Sequence, residues 1–344
     1  MEQFVGLDVS QAMTHVCVVD STGKRLWQGK CQTRPEEITT TIRERAPAAA
    51  LIGMETGALS AWLWHSMSES GLPIVCIDAR HAHRALSLQV NKTDANDALG
   101  IAQLMRTKFF KEVSIKSLDS HRIRALVVAR AQLVGMRTDL KNQIRALLKT
   151  FGCIISHSVE KGFEAKVKAG IAEQPTLGKM VVPLLQVLAS VHEQIGQLDG
   201  LLSDYAGNDK ICRHLMTIPG IGPVTAVAFT AAVDDPQRFR KSKSVGAYFG
   251  LTNRRYQSGE MDISGRISKC GDRLVRSYLF EAAGSLLTRT KTWSAIKSWG
   301  LRIRKRSGIK KAQVAVARKL AVIMHQMWIT GEAFRWSEAE ASAA

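Results

Sequence analysis

Phe4-Val5-Gly6-Leu7-Asp8-Val9-Ser10 reads as a buried strand that ends in a polar tip. Met13 to Asp20 is a second strand, and Ser21-Thr22-Gly23-Lys24 is the hairpin turn that leaves it. Arg25 to Gln32 alternates in polarity and makes a third strand. Pro35 to Arg45 has the pattern of a helix. Ala48 to Met54 is an apolar run of strand length that ends at Glu55-Thr56-Gly57. Ala58 to Ser70 is helical and is stopped by Gly71, and Pro73 to Asp78 is another short strand. Helical stretches follow around Arg80–Ser87 and Asp94–Lys108. A three-strand meander followed by alternating helices and strands predicts an α/β unit, a mixed sheet with helices on its faces.

That order distributes acids to places where ligands gather. Asp8 closes the first strand, Glu55 closes the fourth, and Asp94 and Asp97 open a later helix. In such a sheet strands one and four can be neighbours, and binding sites lie beyond strand ends. Residues i and i+3 share a helix face, so Asp94 and Asp97 can aim at one spot. Each acid alone has a plain reading: Asp94 as a helix N-cap, Asp97 as a dipole partner, Asp8 as a turn residue. Together, in this order of elements, they are candidate ligands for Mg²⁺ (or Mn²⁺) acting on a phosphate.

The chain has a formal net charge of +18 over 344 residues. Residues 1–120 are close to neutral, so the excess lies in residues 121–344. A neutral front joined to a basic back points to a nucleic-acid partner. The six cysteines are scattered singly, without CxxC or zinc spacing, which speaks against a disulfide framework and fits a reduced cytoplasm. Met1-Glu2-Gln3-Phe4 has no basic leader, and the apolar stretch Ala312–Trp328 is broken by Arg318-Lys319 and His325. Neither a signal peptide nor a membrane span is predicted.

The middle is helical. Leu126, Leu133, Leu140 and Leu147 recur every seven residues. Leu184, Leu188, Val191, Ile195, Leu198 and Leu202 follow a three-four spacing. Both are coiled-coil seams and predict a helical hairpin over 121–208, which either packs only on itself or, as a projecting arm with an apolar stripe to bury, serves as a contact arm between subunits. Phe151 to Leu177 is a less regular connection. A mainly α-helical basic domain is expected over 209–336, before an acidic, Ala-rich tail at 337–344.

That last domain opens with Pro219-Gly220-Ile221-Gly222, which resembles a helix-hairpin-helix turn. Gly220 and Gly222 would let backbone N–H groups approach a phosphate. Arg254-Arg255-Tyr256-Gln257-Ser258-Gly259 places a serine in a glycine-flanked loop behind two arginines that can neutralise a phosphate. Chemistry alone leaves Ser258, Ser264 and Ser268 equal as nucleophiles, because no base is evident beside any of them. Arg302, Arg304, Lys305, Arg306, Lys310 and Lys311 make the densest phosphate-binding stretch. Ala312 to Thr330 is an amphipathic helix capped by Gly331.

Gly6-Leu7-Asp8-Val9-Ser10, Gly53-Met54-Glu55-Thr56-Gly57 and Lys92-Thr93-Asp94-Ala95-Asn96-Asp97-Ala98 resemble the DEDD signature of RNase H-like, RuvC-type nucleases. In this spacing they resemble the front half of the insertion-sequence one-ten transposase family. Pro219-Gly220-Ile221-Gly222, Gly250-Leu251-Thr252, the Ser258 block and Ser268-Lys269-Cys270-Gly271 resemble that family's C-terminal transposase domain. The resemblance implies a DNA recombinase acting on donor and target DNA. It assigns the nucleophile to Ser258 and metal binding to the four acids, in a site composed from two subunits of a dimer or tetramer. It also implies a structured bridge RNA as guide. Two other classes compete: a metal-dependent structure-selective junction endonuclease, and a non-catalytic nucleic-acid-binding protein.

Overall fold

The computed structural model describes residues 1–87, 92–156 and 162–336. The tail at 337–344 and residues 157–161 of the irregular connection lie outside the described residues. The chain forms two compact units, Met1–Leu118 and Asp119–Ala344.

The front unit is a five-stranded mixed sheet in the order β3-β2-β1-β4-β5. Its strands are β1 (Gln3–Val9), β2 (Met13–Asp20), β3 (Arg25–Gln32), β4 (Ala49–Glu55) and β5 (Ile74–Ile77). The meander β1-β2-β3 is antiparallel, and β4 and β5 run parallel to β1. Helices α1 (Pro35–Arg45) and α2 (Ser60–Glu69) cover one face. There Val5, Leu7, Val16, Val18, Ile52 and Met54 pack on Ile38, Ile42, Leu63 and Met67. Helices α3 (Ala79–Leu86) and α4 (Asp94–Thr107) cover the other, where Phe4, Cys17 and Val19 meet Ala98, Ile101 and Met105. Alternate β1 residues therefore serve opposite layers, which the period of a strand requires.

Two glycines let α4 lie on the central strands. A Cβ at Gly6 would sit 2.1 Å from the Ala98 carbonyl oxygen and 2.3 Å from the Ala102 nitrogen. A Cβ at Gly53, its partner on β4, would sit 2.4 Å from the Met105 sulfur. Helix α4 starts with Thr93 as N-cap, its hydroxyl accepting from the Asn96 N–H at 3.2 Å. The plain reading of Asp94 as the cap is therefore not met, since Asp94 is the first helical residue.

In the back unit, α5 (Leu118–Thr150) and α7 (Pro175–Asn208) are long helices, with the short α6 (Phe163–Ile171) between them. Ile144 and Leu148 of α5, Phe163 and Val167 of α6, and Val181 and Leu185 of α7 share one core at the far end. At the other end Val127, Leu202 and Ala206 belong to the core of the C-terminal helices. Arg130 is ion-paired with Asp199 between α5 and α7. On α7, Leu188, Val191, Ile195 and Leu202 are buried, while Leu184 and Leu198 are half-buried. On α5 the heptad leucines are only half-buried, and Val127, Ile144 and Leu148 take the buried positions.

The rest comprises α8 (Lys210–Leu215), α9 (Pro223–Val233), α10 (Lys243–Tyr248), α11 (Arg273–Thr288), α12 (Ala295–Ser307) and α13 (Ile309–Thr330), closed by Gly331 at φ +70°. Between α10 and α11 an antiparallel ribbon projects, β6 (Asn253–Ser258) and β7 (Met261–Ile267). The expected loop around Ser258 is thus the end of a strand, because Gly259-Glu260 forms a two-residue hairpin turn.

Candidate active site

The register of the front sheet assembles the acids. Gly6 pairs with Gly53 and Leu7 with Met54 on the parallel neighbour, so Asp8 and Glu55 leave adjacent strand ends on the face that carries α4. Asp97 reaches the same place from the first turn of α4. A pocket of about 180 Å³ is lined by Asp8, Glu55, Asp97, His83, Ser87 and Lys92, with Leu86 on its wall. Asp94 is outside this lining. It is exposed, and its carboxylate lies 3.7 Å from His15 Nε2.

The electrostatics show how crowded the acids are. Burial first, then the negative charges of Asp94 and Asp97, push the Asp8 carboxyl above the usual range; His15 and Lys92 oppose this. Burial, Asp8 and Asp97 likewise raise Glu55, opposed by His83 and Lys92. Half-buried carboxylates that repel one another are a hard-oxygen donor set suited to a divalent cation. As it stands, no group of three or more His, Cys, Asp or Glu among the described residues is close enough to hold a metal ion. The acids form an open pocket and not a closed cage.

His15, His83 and Lys92 were not assigned by sequence. Lys92 stands beside the acids in the chain and could have been. His15 is opposite Asp8 on β2, which counting across the tight β1-β2 connection would have found. His83 faces the site from α3, and no local pattern marks it.

The back unit holds the other predicted residues. Ser258 is at the ribbon tip, exposed, and its hydroxyl has no hydrogen-bond partner among the described residues. Arg255 is paired with Asp262 through two bonds of 2.7 and 2.6 Å, both side chains being exposed. That bond raises the Arg255 pKa and lowers that of Asp262. Arg254 donates to the Ser268 carbonyl at 3.2 Å. At the ribbon base Arg276 Nη1 donates to the Phe249 and Cys270 carbonyls, both at 3.0 Å. Gly250 and Gly271 have positive φ and pack so closely that a Cβ would strike backbone oxygens. Gly220, also at positive φ, is needed where it is because a Cβ would lie 2.7 Å from the Ala282 carbonyl. Gly222 is the N-cap of α9. Arg302, Arg304, Lys305, Arg306, Lys310 and Lys311 are all exposed around the α12–α13 corner.

A mixed sheet whose central strand ends bring an Asp and a Glu together, under a helix that adds two more Asp, defines a RuvC-like DEDD enzyme of nucleic-acid strand processing. Comparison with known proteins makes the class a DNA transposase. Residues 5–152 match the IS110-type DEDD transposase family, described as "Transposase". Residues 212–299 match "Transposase IS116/IS110/IS902 family". The chain belongs to the IS110 transposase family. It is 26% identical over 338 residues to the "Transposase for insertion sequence element IS1111A" of Coxiella burnetii, covering 97% of this chain and 91% of that protein. It is also 26% identical over 338 residues to the "Transposase for insertion sequence element IS1328" of Yersinia enterocolitica, covering 96% and 98%. A shorter likeness, 31% over 113 residues, joins it to the "Pilin gene-inverting protein" of Moraxella bovis, covering 32% of this chain and 34% of that protein. DEDD domains depend on divalent metal, and DNA is the substrate of transposases. No helix among the described residues is long and apolar enough to cross a membrane.

Proposed function

We propose that this transposase cuts and rejoins DNA in the cytoplasm through a serine nucleophile, Ser258, activated at a Mg²⁺ site made by Asp8, Glu55, Asp94 and Asp97. The observation that carries this reading is the shared pocket of Asp8, Glu55 and Asp97, with both strand-end carboxyls held above their usual pKa. The carboxylates are hard-oxygen donors of the type a divalent cation takes, and drawn closer together they would hold one that polarises the scissile phosphate and eases loss of the serine proton. Asp8 and Glu55 supply fixed strand-end ligands. Asp97 and Asp94 would supply the ligands from the first turn of α4. Ser258 then attacks phosphorus, and the departing oxygen takes a proton. A 3′ hydroxyl reverses the step and releases the serine.

The exposed ribbon tip supports a nucleophile delivered to its acids and not housed beside a base. The acidic pocket of one subunit and the ribbon of another would form one composite site in a homo-oligomer. The hairpin over 121–208 is its contact arm, since Met180, Val187 and Leu201 of α7 expose apolar surface. The basic residues of the α12–α13 corner and the Gly220–Gly222 turn hold phosphates of DNA or of an element-encoded bridge RNA. The test is strand transfer by purified protein with element-end DNA and that RNA. Asp8→Asn and Ser258→Ala should each be inactive, and their mixture should recover part of the activity. A mixture as dead as its components would refute the composite site.

A further inference from the structure

The acidic pocket is one end of a longer row. Lys30 pairs with His15 across β3 and β2, and His15 pairs with Asp8 across β2 and β1. Residues opposite each other in a sheet project from the same face, about 4.8 Å apart per strand. Lys30, His15, Asp8 and Glu55 therefore form one line across four strands: a cation, an imidazole and two carboxylates. The line runs from the edge of the sheet into the pocket. Arg25 joins it at the edge, where its Nη1 donates to Gln28 Oε1 at 2.7 Å. Gln28 is held in turn, its Nε2 donating to the Ala95 carbonyl at 2.5 Å. His15, Arg25, Gln28, Lys30 and Ala95 line an open groove of about 690 Å³.

A lysine on an edge strand can serve simply to block strand pairing. That explains Lys30 alone. It does not explain His15, which is on an inner strand, half-buried, between the lysine and the acids. Nor does it explain Arg25, whose guanidinium is oriented by a fixed glutamine. The groove is open and sets its cations beside Leu26 and Trp27, a poor fit to an enclosed small molecule and a good one to a nucleic-acid strand, whose backbone meets cations and whose bases meet apolar surface.

We propose that His15, Arg25 and Lys30 form a phosphate track that holds the DNA strand on one side of the phosphate to be cut. The inference rests on the acidic pocket being the cutting site. Lys30 and Arg25 would contact phosphates as cations. His15 would donate an N–H to the phosphate nearest Asp8, and the strand would be held in register by backbone contacts that read no sequence.

The test needs no catalysis. Full-length protein is mixed with a single-stranded element-end oligonucleotide in Ca²⁺, and amide hydrogen exchange is followed in Met13–Gln32. The expected result is slowed exchange there on DNA binding. In Arg25→Gln/Lys30→Gln that protection should fall, and the slope of log affinity against log salt should shrink by about 1.4, two contacts at about 0.7 each on a single strand. Lys30→Arg should retain both. DNA binding with unchanged exchange in Met13–Gln32, or an unchanged slope in the double variant, would overturn the proposal. The thermal melting curve of each variant separates these outcomes from misfolding. Failure of the cutting-site reading shows elsewhere, as Mn²⁺ affinity unaltered in Asp8→Asn.

Discussion

Gly6→Ala isolates the contact on which the active site depends. The new methyl carbon would lie 2.1 Å from the Ala98 oxygen and 2.3 Å from the Ala102 nitrogen, where ordinary contacts begin at 3.4 Å. Both obstructing atoms are backbone of α4, so no side chain can swing away. The helix must retreat from β1 by at least about 1 Å. Overpacking of a core costs about 1–3 kcal/mol, and a rigid backbone obstacle places this case near 3. At about 4 °C per kcal/mol for a unit of this size, the front-unit transition should fall by about 12 °C in calorimetry. Because α4 carries Asp94 and Asp97, its retreat also opens the gap to Asp8 and Glu55. A displacement near 1 Å can cost about a hundredfold in rate, so strand transfer should drop on that scale even well below the melting point. A transition within about 2 °C of wild type, with full activity, would refute the claim that close backbone approach at Gly6 sets the site.

Other variants probe separate parts of the molecule. Burial and neighbouring acids raise the Asp8 pKa, so the folded protein favours the protonated carboxyl. Metal-free stability should therefore fall as pH rises from the ordinary carboxylate range through the raised pKa; Asp8→Asn should melt higher than wild type without metal at pH 7 and lose the rise that Mn²⁺ gives. Ser258 is exposed, so Ser258→Ala should leave stability within about 0.5 kcal/mol in urea titration while abolishing strand transfer. Asp272 caps α11, accepting from the N–H of Leu274 at 2.9 Å and of Val275 at 3.2 Å, and it is ion-paired with Arg124 of α5. Asp272→Ala should cost about 2–3 kcal/mol, the cap plus a stranded, partly buried guanidinium, as measured by denaturant unfolding. Thr93→Ala removes the cap of the helix that bears two of the acids and should cost about 1 kcal/mol in the same measurement, with weaker Mn²⁺ binding by calorimetry.

The front unit was legible because each element announces itself locally. Gly23 and Gly71 stop elements at positive φ, and the strands β1, β2 and β4 are short apolar runs of the right length. The acids could be placed because strand order alone puts β1 beside β4. The ribbon that carries Ser258 was harder to read. Asn253–Ser258 and Met261–Asp262 are exposed throughout, so no alternation of buried and wet residues marks them as strands. The clue was the Gly259-Glu260 turn between Tyr256 and Ile263, which face each other across the hairpin. The α5 heptad was legible as a helix but not as a buried seam, since a 3.6-residue helix drifts away from a seven-residue repeat. The pairing of Arg255 with Asp262 depends on register across the ribbon and could not be seen in the Arg254-Arg255 pair itself. His83 enters the site from a separate helix, through packing that no local pattern records.

The most direct measurement is of a covalent protein–DNA link. Purified protein is incubated with Mg²⁺, labelled element-end DNA and element-encoded RNA, then denatured and resolved on a gel. The expected result is a phosphoserine-linked adduct in the wild type that is absent from Ser258→Ala, Asp8→Asn and reactions lacking divalent metal. Strand exchange by Ser258→Ala, or an adduct that survives Asp8→Asn, would contradict a serine activated at the acidic pocket.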